Sequence, residues 1–155
     1  MSASTNIPTK LKLSQVVNAG PQLKFDTDTL VCLIVTAGSG IPSTTKTGVQ
    51  FISDVTGTNP EVTGTGYSRQ TLTSVTVAYD GSGTTLVDFS FGNITFAQNA
   101  SGFSNGAYII IADTSVGAGD STHPVVVVCD PATTLTVVPG SLVLSSPTGG
   151  LIQWS

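Results

Sequence analysis

One histidine, two cysteines and nine carboxylates are the chain's stock of groups for acid–base, nucleophilic or metal chemistry. His123 stands just before Pro124, with Asp120 and Ser121 close by in sequence. A Ser-His-Asp system needs an imidazole held by a carboxylate and turned towards a nucleophile. No nucleophile-elbow pattern occurs anywhere, so His123 reads as a loop or strand-edge histidine. Zinc needs three or four ligands, and one histidine with two cysteines inside apolar runs gives no spacing that builds such a site. Cys32 and Cys129 read as buried reduced thiols acting as small hydrophobes.

The stretch "DTDT" (Asp26 to Thr29) could set two carboxylates on one side of a loop for Ca²⁺, but such a site wants six or more oxygens. Aspartates before strands more often bond backbone amides in turns. A glycosidase pair would be expected with an aromatic sugar platform, and none accompanies these residues. "GSGTT" (Gly81 to Thr85) lacks the lysine and helix start of a phosphate loop, so it reads as a hairpin turn. The sequons at Asn93 and Asn99 are expected to be chance matches in a Thr/Ser-rich chain. The expectation is no catalytic residue, no cofactor and no metal.

"EVTGTGYSRQTL" (Glu61 to Leu72) is the most distinctive segment. Its glycines precede a strand and not a helix, so no helix N-terminus is offered to an anion. They permit a tight chain reversal instead. Tyr67 can pack its ring while its hydroxyl finds a partner, and Glu61 and Arg69 can pair across the turn. Tyrosine and arginine are also enriched at binding hot spots. Glu61, Tyr67 and Arg69, with the loop Gly38 to Pro60 before them, therefore form a candidate interaction surface. Tyr67 as a plug at the end of the fold is the alternative, and both stay open.

Positioning these residues falls to strands. Charged residues are 9% of 155, where a soluble domain carries about 25%. Thr, Ser, Gly and Asn fill the gap, while 39% of the chain is apolar, which argues for a packed fold. A net charge of -4 with five Lys and Arg leaves no basic face for nucleic acid or anionic lipid. No apolar run is long enough to span a bilayer. "MSASTNIPTKLKL" has no apolar h-region, so synthesis in a cytoplasm is expected.

"TLVCLIVTA" (Thr29 to Ala37) is continuously apolar, the pattern of a strand buried on both faces. A short strand is expected at Val49 to Ile52. "RQTLTSVTVAYD" alternates, "DGSG" (Asp80 to Gly83) supplies a turn, and "TTLVDFSFGNITF" resumes the alternation until a bulge at Gly92-Asn93. "GAYIIIAD", "HPVVVVCD", "TLTVVP", "SLVLSS" and "GLIQWS" complete the series. The expected fold is all-β, an antiparallel β-sandwich or jelly roll. Its divisions are an N-terminal arm, 1–9, and one domain, 10–155. One short helix is expected between Thr9 and Gly20, where strand alternation fits equally well.

Taken in order, "FDTDTLVCLIVT", "ISDVTGTNPEVTGTGYSRQTL", "VTVAYD" and "GSLVLSSPTGGLIQW" resemble a family of tailed-bacteriophage structural proteins. The resemblance runs from Lys10 to Trp154, and Asp54-Val55 with Glu61 to Tyr67 is its most specific part. Ser68 to Gln70 departs from it, since relatives carry more glycine there, and the long Gly38–Pro60 loop is a second departure. The resemblance implies an accessory virion protein without enzymatic activity, most simply a capsid decoration or cement protein. Its partners would be the major capsid protein or other virion subunits, and a homotrimer on a local three-fold is expected. A tail, collar or fibre-base component, or a carbohydrate- or cell-surface-binding β-module, are the alternatives.

Overall fold

The computed structural model describes residues 4–6, 23–25, 27–38, 49–64, 67–79, 87–96, 103–131, 135–137, 142–145 and 152–154. Among these the fold is all-β and antiparallel. Eleven strands occur: β1 (Ser4–Asn6), β2 (Leu30–Thr36), β3 (Gln70–Thr71), β4 (Thr76–Tyr79), β5 (Val87–Ser90), β6 (Ile94–Phe96), β7 (Phe103–Asp113), β8 (Val125–Asp130), β9 (Leu135–Val137), β10 (Leu142–Leu144) and β11 (Ile152–Trp154). The helix α1 spans Ile52–Thr56. The segment between Thr9 and Gly20, the turn at Asp80 to Gly83 and the sequon at Asn99 lie outside the described residues.

β1, β8, β7, β2 and β3 lie side by side in that order, with β9 also paired to β7. β2 is the strand expected to be buried on both faces, and it is. Leu30, Cys32 and Ile34 enter one apolar cluster, while Leu33 and Val35 enter a second on the opposite face. Ile109 and Ile111 of β7 follow the first face, Ile110 and Ala112 the second. In β8 the alternation slips. Val126 and Val127 both enter the first cluster, between Val125 and Val128 in the second. The β7–β8 register shifts at this point, pairing Ile111 with Val127 but Ala112 with Val125. One extra residue resets which face each valine serves.

The first face is covered by the smaller sheets, through Phe89 of β5, Ile94 and Phe96 of β6, and Leu142 and Leu144 of β10. The second face is covered by Val49 and by Ile52 and Val55 of α1. A strand expected at Val49 to Ile52 is thus corrected. Phe51 makes one antiparallel bridge to Pro124, and the chain then turns into the helix. Asp54 is the reason: its Oδ2 accepts the N–H groups of Gln50 (2.8 Å) and Phe51 (2.9 Å), satisfying donors that an extended continuation would have paired elsewhere. Ile52 and Val55 are both 0% exposed, each contributing about 1.5–3 kcal/mol of burial.

The bulge expected at Gly92-Asn93 is a change of sheet. β5 pairs with β4 and β11, whereas among the described strands β6 pairs with β10. Gly92 donates its N–H to Thr73 O (2.8 Å), which ends the β5 ladder and redirects the chain.

Candidate functional site around Arg69

Residues 60–62 and 70–71 run along the free side of β2 as an interrupted edge. Thr36 N–H donates to Pro60 O (2.8 Å) and Val62 N–H to Ile34 O (2.9 Å), with an antiparallel bridge between Val35 and Glu61. Further on, Cys32 pairs with Gln70 and Val31 with Thr71. Between these points the chain makes an excursion, closed by Tyr67 N–H donating to Gly64 O (3.1 Å). That turn is the reversal expected of "GTGY". At the other end Gly38 passes hard against the incoming chain, where a Cβ would sit 2.1 Å from Thr58 O.

The excursion leaves the Ile34 N–H without a strand partner, and a side chain supplies one. Ile34 N–H donates to the Tyr67 hydroxyl (2.9 Å), which donates in turn to Glu61 Oε1 (2.9 Å). The ring below stacks on Phe96 (5.7 Å between centroids, 2°) and meets Phe103 edge-on (5.7 Å, 75°). Burial, foremost, pushes the phenol far above its ordinary value, so it stays a donor. The ring packs against the first core cluster as a partly buried side chain.

Arg69 closes the mouth of the excursion. Its Nε lies 3.1 and 3.0 Å from the two Glu61 oxygens and its Nη2 lies 2.7 Å from Glu61 Oε2. The expected Glu61–Arg69 pair is therefore present. A third member was not foreseen: Asp120 takes Nη1 at 2.6 Å and Nη2 at 2.7 Å. Bonds to Asp120 and then Glu61 raise the guanidinium's pKa further, and the bond to Arg69 is the first cause holding Asp120 below the usual carboxylate range. Asp120 is 51 positions away in a Gly-containing loop, and nothing in the local sequence marks it as a partner. The loop's backbone is tied down beside α1, since Ser53 N–H donates to Asp120 O (3.0 Å) and Ile52 N–H to His123 O (3.0 Å).

His123 sits at the bend before β8, as a strand-edge residue. Its Nδ1 is 3.8 Å from Asp120 Oδ1, beyond hydrogen-bond reach, and is buried without a hydrogen-bond partner. At the other end of the same loop, Asp113 is 0% exposed. Its Oδ1 accepts Ser115 N–H (2.7 Å) while Oδ2 has no partner. Desolvation is the main cause raising its pKa; the Ser115 hydrogen bonds oppose it first, Asp28 adds to it, and His123 opposes least. Asp28 itself accepts the Lys24 N–H, the turn role expected of an aspartate before a strand.

No disulfide joins the cysteines. Cys32 pairs with Ile111 of β7 and Cys129 with Ile109, so a whole strand lies between them. Two strand spacings, about 9.5 Å, exceed disulfide reach. Among the described residues no group of three or more His, Cys, Asp and Glu could hold a metal. Among the described residues no helix is long and apolar enough to cross a membrane.

Glu61, Val62, Gly64, Tyr67 and Arg69 border a shallow surface hollow of about 380 Å³. It is a dent with bonded walls, because the groups that border it bond one another. No family model, curated protein or solved structure matches this chain.

Proposed function

We propose that the protein is a bacteriophage virion structural protein, a decoration or cement subunit that binds the outer shell of the head. The observation that carries this reading is where the charged and polar groups around Arg69 are used. Arg69 is clamped by two carboxylates, and the Tyr67 hydroxyl is bonded on both sides. Groups consumed in this way hold a surface in one shape and are not poised for turnover. The sequence resemblance over Lys10 to Trp154 points the same way. The exposed segment beside the clamp is Thr63 and Gly64, and low charge reduces the cost of desolvation against a neighbour. On a particle, modest patches repeated by symmetry sum to firm attachment.

Quantitative gels of purified particles, followed by localisation in an electron-microscopy map, test this directly. The proposal expects a fixed copy number per particle and density on the head exterior. Absence from purified particles would overturn it. Density on a tail or collar would select the second reading, which the same resemblance allows.

A further inference from the structure

The central sheet ends at one side on β1, a strand of only Ser4, Thr5 and Asn6. It pairs antiparallel with β8, Ser4 opposite Asp130, Thr5 opposite Cys129 and Asn6 opposite Val128. Its three residue pairs hold it to β8 through backbone bonds. The strand it covers matters more. β1 faces Val128, Cys129 and Asp130, and Val128 is 0% exposed; uncovered, this end of the β8 edge would present unpaired N–H and C=O groups beside the core.

The tether does not compel β1 to use its own sheet. Three strand spacings, about 14 Å, separate β1 from β2 across β8 and β7. Leu23 and Phe25 already pack against the core, so the connection is the 16 residues 7–22, which can reach about 53 Å when extended. We propose that β1 exchanges between copies: the β8 edge of one chain accepts Ser4–Asn6 of a second copy in the same antiparallel register. The same backbone bonds form in either arrangement, so little energy separates them and local concentration decides. This holds whether or not the chain sits on a virion. Where copies are crowded, it supplies a link between neighbours that needs no new side-chain surface.

The register provides its own test. Residues directly opposite in an antiparallel pair have Cα atoms about 4.5–5.5 Å apart, within disulfide range. In the full chain, Thr5→Cys therefore places a thiol opposite the native Cys129. The variant is oxidised at concentrations from about 10 μM to about 1 mM, spanning typical effective molarities, and run on a non-reducing gel. The proposal expects covalent dimers and larger species whose share rises several-fold over that range. They should vanish with reductant and be absent in Thr5→Cys combined with Cys129→Ser. Only internally linked monomer at every concentration would overturn exchange. No link at all would overturn it too, because the β1–β8 register would then not be populated.

Discussion

The two edges of the central sheet are both short, yet they are held by different means. At the β3 edge, backbone pairs at Gln70-Thr71 and a bridge at Glu61 flank a gap that side chains close: Tyr67 completes the ladder at Ile34, and Arg69 ties Glu61 to Asp120. At the β1 edge a backbone ladder of three residue pairs closes the sheet. A side-chain clamp is specific to one arrangement of one chain. A backbone ladder accepts any extended segment in register. The difference teaches that edge length says little about permanence; what locks an edge is the desolvated, directional chemistry laid across it.

Substitutions at the two edges should separate by several kcal/mol. Tyr67→Ala removes an aromatic ring from the core cluster and is expected to cost about 3–5 kcal/mol in urea unfolding. Tyr67→Phe keeps the ring but strands the Ile34 N–H and should cost about 1–2 kcal/mol. Arg69→Met leaves Glu61 and Asp120 facing each other and should cost about 2–3 kcal/mol. Its effect should shrink in acid. Asp120 has a lowered folded pKa, so its contribution is present above the ordinary carboxylate value and lost as pH falls through the folded one.

Asp113 carries the opposite sign. Its folded pKa is raised, so the protonated form is the one the fold favours, and that stability is lost as pH rises from the ordinary value to the folded one. Asp113→Asn mimics the neutral form. It should unfold at higher urea at pH 7, by roughly 1 kcal/mol, with the gain disappearing below about pH 4. The smallest effect belongs to the other edge. Thr5→Pro removes at most one ladder bond and should cost under about 1 kcal/mol. A cost matching that of Arg69→Met would erase the contrast between the edges.

Much of the strand framework was legible because period-two alternation depends only on neighbouring residues. The doubly buried β2 announced itself through an unbroken apolar run, and the turn at Gly64 to Tyr67 through its glycines. The Glu61–Arg69 pair was legible because it spans one turn. Asp120 was not, since the clamp depends on how a distant loop packs beside α1. The helix was missed although Asp54 can cap it, because five residues are too few to display a helical period. The Gly92-Asn93 break was visible, but a bulge and a change of sheet look alike in sequence. Only the partners, β4 and β11 for β5 against β10 for β6, distinguish them.

Amide hydrogen exchange read residue by residue tests the contrast between the edges most directly. The Ile34 amide, which donates to the Tyr67 hydroxyl, should exchange near the rate set by global unfolding and lose much of that protection in Tyr67→Phe. The amides joining Ser4–Asn6 to β8 should exchange orders of magnitude faster at low protein concentration. Equal protection at the two edges, or an Ile34 amide indifferent to loss of the Tyr67 hydroxyl, would contradict the account.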